Sequence, residues 1–412
     1  MSDGRPLTRG VLACVAILLL PGSAGAQELT ESEAVTRALQ ENARLRAART
    51  RPATIAAEQQ LRRLPPNPAI SFQQERSAGV TDRFLLFEQE LPLTGRVGRL
   101  KQAGQAAVTA ADLRVSRSAF EVRQDTRAAF TGLLAAQVRL AEVSKAVTTL
   151  TGLARRLADR ENAGDGSRFD RLRAEREVAE LRAEQTLIEA DVATARASLG
   201  AFLGLTGVPA LVAKGSMDPV TVLPALDDVL ASARAKRPDL LAVDADIQAL
   251  EFEREAAGRL TVPYPVIGGG WKQTALDHAA GRNGYAFSAG MVLPVFSRGK
   301  ADSAVAAAGL LAARAERDAL TVRIDQEVRV AHARAHHLRS LVAAYESDAL
   351  ERSRELVRIA TLAYDEGELG ILELLDAHRS LVTAELRAME FRSAARAAAI
   401  SLDLAAGEEL TR

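Results

Sequence analysis

The hexapeptide "LPLTGR" (Leu91 to Arg96) returns 202 residues later as "LPVFSR" (Leu293 to Arg298). At the same separation "VRQDTRAAF" (Val122 to Phe130) returns as "IDQEVRVAH" (Ile324 to His332). Nearer the start of each copy the match is weaker, with "ENARL" (Glu41 to Leu45) facing "KRPDL" (Lys236 to Leu240). One separation held across unrelated local sequences marks a duplicated structural unit. The copies expected are residues 27–215 and 216–412, and they account for nearly all of the chain after residue 26.

Residues 1–26 differ in character. Arg5 and Arg9 precede the apolar run "VLACVAILLL" (Val11 to Leu20), and Ala24-Gly25-Ala26 follows. Charge, short apolar stretch and A-x-A site form a secretory signal, with cleavage expected after Ala26. The run is far short of the roughly twenty apolar residues that cross hydrocarbon as a helix. Cleavage removes Cys14, the only cysteine, so disulfides, thiolate metal sites and a lipid-modified N-terminal cysteine are not expected. The full chain carries 53 basic and 53 acidic residues; removing Arg5, Arg9 and Asp3 leaves 51 and 52. Such a balance implies no nucleic-acid partner. Aromatic residues make up only 4% while alanine is abundant, which suits long, closely packed helices better than a globular core.

Both copies present the same order of elements. A first helix, about Ser32 to Arg63 and about Ala225 to Gly258, runs into the proline stretches "LPPNP" and "TVPYP", which cannot continue it. Two extended segments follow. A far longer helix, about Val97 to Arg160 and about Lys300 to Tyr364, then reaches a turn, and a return helix closes the unit. In the first long helix Leu133, Leu140, Val143, Val147, Leu150, Leu153 and Leu157 recur at steps of three, four or seven, a coiled-coil seam. A helix of about 60 residues is about 90 Å long, well beyond the diameter of a globular domain.

The extended segments are "AISFQQER" (Ala69 to Arg76), "RFLLFEQEL" (Arg83 to Leu91), "VIGGGWKQT" (Val266 to Thr274) and "YAFSAGMVL" (Tyr285 to Leu293). In the last, Tyr285, Phe287, Ala289, Met291 and Leu293 share one face. Weakly alternating segments of about ten residues with aromatic members read as transmembrane β-strands, and surface hairpins read similarly. In lipid their edges must be paired, and membrane barrels begin at about eight strands, so four strands require at least a dimer. The triglycine Gly268 to Gly270 lacks the following Lys-Ser/Thr of a phosphate loop, and glycine within a strand marks a bend or a close backbone approach.

The long helices are interrupted at "LADRENAGDGSRFDRLRAE" (Leu157 to Glu175) and "LAYDEGELGILELLDAHRS" (Leu362 to Ser380). Glu373 and Asp376 stand three apart, on one helix face, and acids there also stabilise a helix start. His332 and His336 stand four apart with His337 beside them, but no third ligand is evident and no metal is assigned. No nucleophile, triad or cofactor fingerprint appears, so the chain is read as a non-enzyme without cofactor.

With its two hairpins, its two very long helical hairpins and "EQELPLTGR" (Glu88 to Arg96) leading into the first of them, the chain resembles the TolC family of outer-membrane efflux proteins. The "EQELPLTGR" stretch looks most like members of the CzcC type, which serve heavy-metal efflux. The resemblance implies a mainly α homotrimer whose helical tunnel continues into a twelve-stranded barrel in the outer-membrane lipid of a Gram-negative bacterium. It also implies a large periplasmic portion, a periplasmic adaptor and an inner-membrane pump as partners. Many relatives are lipidated at an N-terminal cysteine, which is not expected here. By the same resemblance the two interruptions are periplasmic tips where the adaptor docks, involving Gly164, Asp165, Gly166, Gly367, Glu368, Leu369 and Gly370. Asp170, Tyr364, Glu373 and Asp376 match the family's pore constriction, and Tyr364 with Asp170 matches residues that hold neighbouring hairpins closed. Leu369 stands where relatives carry an arginine, so a salt-bridged clamp is not carried over. Two other classes fit parts of the pattern: a periplasmic adaptor, which implies one helical hairpin rather than a duplication, and a secreted coiled-coil structural protein with a histidine metal site.

Overall fold

The computed structural model describes residues 27–207, 210–218, 222–276, 279–296 and 298–410. The expected signal segment and Cys14 lie outside them. The first unit runs β1 (Gln27–Thr30), α1 (Glu31–Glu41), α2 (Ala43–Leu61), β2 (Ala69–Ser77), β3 (Val80–Glu90), α3 (Arg96–Asn162) and α4 (Arg168–Phe202). A short strand β4 (Leu211–Lys214) ends that unit, and the second repeats the helices and hairpin as α5 (Leu226–Lys236), α6 (Pro238–Gly258), β5 (Pro265–Leu276), β6 (Ala279–Met291), α7 (Lys300–Tyr345), α8 (Glu351–Asp365) and α9 (Ile371–Ala406). The short strands β1 and β4, which the sequence pattern did not suggest, pair in parallel and bring the two ends of the first unit together.

The first helix of each unit, expected to be continuous, is broken. Asn42 separates α1 from α2: its backbone is extended, its side chain accepts from the Leu45 amide at 3.2 Å, and its amide nitrogen donates to the Phe202 carbonyl at 3.2 Å. Arg237 separates α5 from α6 because the residue before a proline is pushed out of the helical region, and Pro238 opens the new helix. Arg237 is 1% exposed and donates to the Ala405 carbonyl at 3.0 Å. Each break residue thus satisfies a carbonyl in the last turn of its own unit's return helix, where four carbonyls lack helical partners.

The 67-residue α3 is one uninterrupted helix, about 100 Å long. Of the expected seam, Leu133, Val143, Leu150, Leu153 and Leu157 are buried, and Leu140 and Val147 half-buried. The second long helix is instead divided by a π turn at Glu346–Leu350. Upstream of it the buried positions of the units correspond at a separation of 202, as in Val122 with Ile324 and Leu133 with Ala335. Downstream the separation is 203, as in Leu157 with Ala360 and Leu199 with Leu402. One extra residue has been absorbed as a π turn, which keeps both flanking faces inward. The helix starts add another shift: the left-handed Gly95 and Gly299 precede α3 and α7, a separation of 204 where the hexapeptides suggested 202.

Strands β2, β3, β5 and β6 form one antiparallel sheet in that order, with β2 and β6 as open edges. The expected strand boundaries hold within a few residues, except that β6 begins at Ala279 and ends at Met291, leaving Leu293 outside. Away from the sheet an ion network joins the units. Arg127 on α3 donates to Glu31 and to the fully buried Asp403 on α9, both at 2.7 Å, and Arg396 pairs with Glu31. Removing one partner from such a group leaves a buried charge uncompensated, a loss of about 3–5 kcal/mol.

Candidate functional site at the hairpin tips and the sheet

The two interruptions fold into the same turn. In the first, the Gly164 amide donates to the Glu161 carbonyl and the Asp165 amide to Arg160, each at 3.0 Å. In the second, Gly367 donates to Tyr364 at 3.1 Å and Glu368 to Ala363 at 2.8 Å. This pair of bonds requires a left-handed residue, supplied by Gly164 at φ 84° and Gly367 at φ 78°. Gly166 is needed for another reason: a Cβ there would lie 2.5 Å from the Glu161 backbone nitrogen.

Ser167 caps α4 by accepting from the Phe169 amide at 3.2 Å, and Gly370 occupies the matching position before α9. Asp170 and Glu373 then fall at the same third helical position, Asp170 half-buried and Glu373 exposed. The Glu373 carboxylate bends back toward its helix start, with Oε2 3.0 Å from where a Cβ on Gly370 would stand. Asp376 is exposed one turn on, beside the buried Leu374 and Leu375. Glu373 and Asp376 therefore leave the apolar face of α9 on the same side. Tyr364 does not hydrogen-bond Asp170 within the chain; it packs on the tip core.

That core gathers Leu150, Leu153 and Leu157 of α3, Ala174 and Val178 of α4, Ala360 of α8, and Ile371, Leu374 and Leu375 of α9. Leu369 packs against it, which gives the leucine at that position an apolar role. Three features were missed in the sequence. Arg379 on α9 pairs with Glu177 on α4, whose side chain is 10% exposed, tying the two hairpins together. Arg171 bridges the first turn to Glu161 at 2.5 Å and Glu175 at 2.8 Å. The half-buried His378 has its pKa lowered by burial and by the nearby Arg156. The Arg171–Glu175 pair has the i,i+4 spacing readable in one helix, but Glu161–Arg171 and Glu177–Arg379 join different helices, and no motif announces them.

At the other end of the molecule the sheet sorts its side chains by chemistry. Cross-strand register places Ile70, Phe87, Gly269 and Phe287 in one row and Phe72, Leu85, Trp271 and Tyr285 in the next. Every large side chain in these two rows is exposed. The opposite face holds Glu75, Asp82, Thr274 and Arg282 in one row and Glu88, Gly268 and Ser288 in another, with the half-buried Phe84 and Leu86 in the rows between them. Lys272 pairs there with Asp82 at 3.0 Å, and Ser288 Oγ donates to Glu88 at 3.1 Å across Gly268. A Cβ on Gly268 would lie 2.2 Å from that Oγ, which explains the glycine. One face that is mainly apolar and one that carries the carboxylates would suit a wall between lipid and water.

The histidine cluster separates. His332 Nε2 donates to the Pro224 carbonyl at 2.9 Å, while His336 and His337 meet edge to face. Among the described residues no group of three or more His, Cys, Asp or Glu is placed to hold a metal ion. Among them, too, no helix is long and apolar enough to cross a membrane.

No curated protein matches the chain in sequence. Solved structures share its fold over nearly its whole length, three among them as follows. The MtrE outer membrane channel of Neisseria gonorrhoeae, in its open state, superposes with a TM-score of 0.74 at 22% identity, covering 93% of this chain and 90% of that one. CusC gives 0.74 at 18% identity, covering 92% of each chain. VceC of Vibrio cholerae gives 0.71 at 18% identity, covering 92% of this chain and 96% of that one. The fold is therefore that of outer membrane channels built from long helical hairpins. Residues 229–408 match the family model described as outer membrane efflux protein.

Proposed function

We propose that three copies of this chain close their sheets into a twelve-stranded barrel and form the passive exit duct of a tripartite efflux pump. The duplicated units 27–215 and 216–412 each give the duct one strand hairpin and one helical hairpin. The observation that carries the reading is the four-stranded sheet, mainly apolar on one face and carrying carboxylates on the other, with β2 and β6 unpaired. Unpaired backbone groups in hydrocarbon cost several kcal/mol each, so these edges demand partners. A closed wall of like subunits supplies them in the outer membrane, with the helices extending into the periplasm.

A periplasmic adaptor docks at the tips around Gly164–Gly166 and Gly367–Gly370, and an inner-membrane pump supplies the energy. Asp170, Tyr364, Glu373 and Asp376 line the narrowest part of the duct. Heavy-metal cations are the substrate class favoured by the "EQELPLTGR" stretch. Native mass spectrometry of detergent-extracted protein should show three chains, and the same preparation should conduct ions in planar bilayers. A stable, non-conducting monomer would overturn the duct. Deleting the gene should sensitise cells to metals; sensitivity to organic compounds alone would leave the duct and remove the metal substrate.

A further inference from the structure

Below the two open edges of the sheet lie apolar side chains that none of the described residues covers. After β6, Val292 is 79% exposed, Val295 57% and Phe296 100%; before β2, Leu61 is 71% exposed and Leu64 60%. Isolated exposed leucines are ordinary, but a wholly exposed phenylalanine beside two exposed valines is not.

Strand order says what meets them. Strand directions alternate through β2, β3, β5 and β6. A neighbouring β2 laid against β6 continues that alternation, antiparallel to it. Strand β6 runs down toward the helices and ends at Met291, while β2 rises from them and begins at Ala69. The pairing therefore sets the segment after Met291 of one copy beside the segment before Ala69 of the next. Both segments are proline-bearing, through Pro294 on one side and Pro65, Pro66 and Pro68 on the other. Proline lacks an N–H, so the ladder cannot continue there and side-chain packing must hold the junction.

We propose that Phe296, with Val292 and Val295, packs against Leu61 and Leu64 of the next copy, forming an apolar seam that locks each β6–β2 junction beneath the barrel. The seam rests on the closed-barrel reading and adds to it the residues that hold the copies in register. A buried phenylalanine removes about 150–250 Å² from water, so each junction gains a substantial anchor.

The single cysteine makes the test clean. In a Cys14→Ser background, Leu64→Cys and Phe296→Cys are introduced together and singly, and membranes are oxidised. Within one chain these positions lie at opposite edges of the sheet, about 14 Å apart at ordinary strand spacing. That exceeds disulfide reach, so a bond has to join two copies. The double variant should shift to two and three chain masses on a non-reducing denaturing gel, while each single variant and the pair Leu93→Cys with Phe296→Cys stay at one. A three-chain species by native mass spectrometry without the covalent ladder overturns the seam and leaves the barrel standing. In a Trp271→Phe background, which removes the only other tryptophan, strong quenching of Phe296→Trp fluorescence by brominated phospholipid also overturns it, because lipid then covers the position. A monomer by native mass spectrometry defeats the barrel and the seam together.

Discussion

At the scale of single residues, the three consecutive glycines of β5 are not equivalent. A Cβ on Gly270 would stand 1.9 Å from the Leu85 carbonyl oxygen and 2.9 Å from the Leu86 Cα, both backbone atoms of the paired strand that cannot swing aside. A Cβ on Gly269 would meet only the Phe287 ring, at 3.7 Å, an ordinary contact. Gly270→Ala should therefore part β3 from β5 and lower assembly, at a cost of about 1–3 kcal/mol typical of overpacking, while Gly269→Ala should assemble normally. Heat-dissociation of the detergent-solubilised oligomer measures both. Equal behaviour of the two variants would show that strand pairing at Gly270 is looser than the structure has it. The triplet was legible in the sequence as a close approach of backbone, since no other residue type allows one. Which glycine bears it depends on cross-strand register, and register is not written in one strand.

Secondary-structure elements show the same division between what periodicity carries and what partners decide. The long helices were legible because apolar spacing persists over many turns, and the paired turns because Gly164 and Gly367 stand where only a left-handed residue closes the helix. The breaks at Asn42 and Arg237 were missed. At the second, Pro238 opens the new helix and pushes Arg237 out of the helical region, whereas Asn42 carries no proline signal and breaks the helix through its own side-chain cap. The π turn was invisible because one added residue leaves local helix propensity unchanged. It becomes visible only when the two units are set side by side, at separations of 202 before it and 203 after. The first unit works without such a turn, so deleting the exposed Ser347 should give a plain helix with the same buried faces. The expected change in stability is within about 0.5 kcal/mol, as for a benign surface change. Inserting two alanines after Ala146 in α3 has the opposite consequence, because one π turn absorbs only one extra residue. It rotates Leu150, Leu153 and Leu157 away from the tip core, where each buried leucine lost costs about 2–5 kcal/mol. Thermal melts of the two variants separate the cases, and a deletion as damaging as the insertion would mean that the π turn itself holds the second hairpin in place.

On the scale of the whole molecule, 53 basic and 53 acidic residues balance, and pairs such as Arg114 with Asp246 and Arg317 with Asp244 join neighbouring helices. The sheet puts its aromatic rows on one face and Asp82 and Glu88 on the other, and the helical end places Glu373 and Asp376 on the exposed side of α9. The repeated order of elements and the long-hairpin fold were legible from one sequence, since proline and glycine punctuate the chain at matching places. The Glu177–Arg379 tie between hairpins was not, because it spans two helices. With two carboxylates from each of three copies, Glu373 and Asp376 would make one narrow acidic ring, where low dielectric and a focused field attract cations and repel anions. Glu373 also bends over Gly370 at the start of α9, the position of an acid that serves its own helix, and the two roles predict different losses. The double variant Glu373→Gln with Asp376→Asn should still assemble, because removing charge from a helix start costs only about 0.3–1 kcal/mol per residue. If the acids face the duct, its reversal potential under a salt gradient should move toward zero and block by multivalent cations should weaken. An assembled channel with unchanged selectivity and block would mean that both carboxylates act only on α9, and that the constriction lies at other residues.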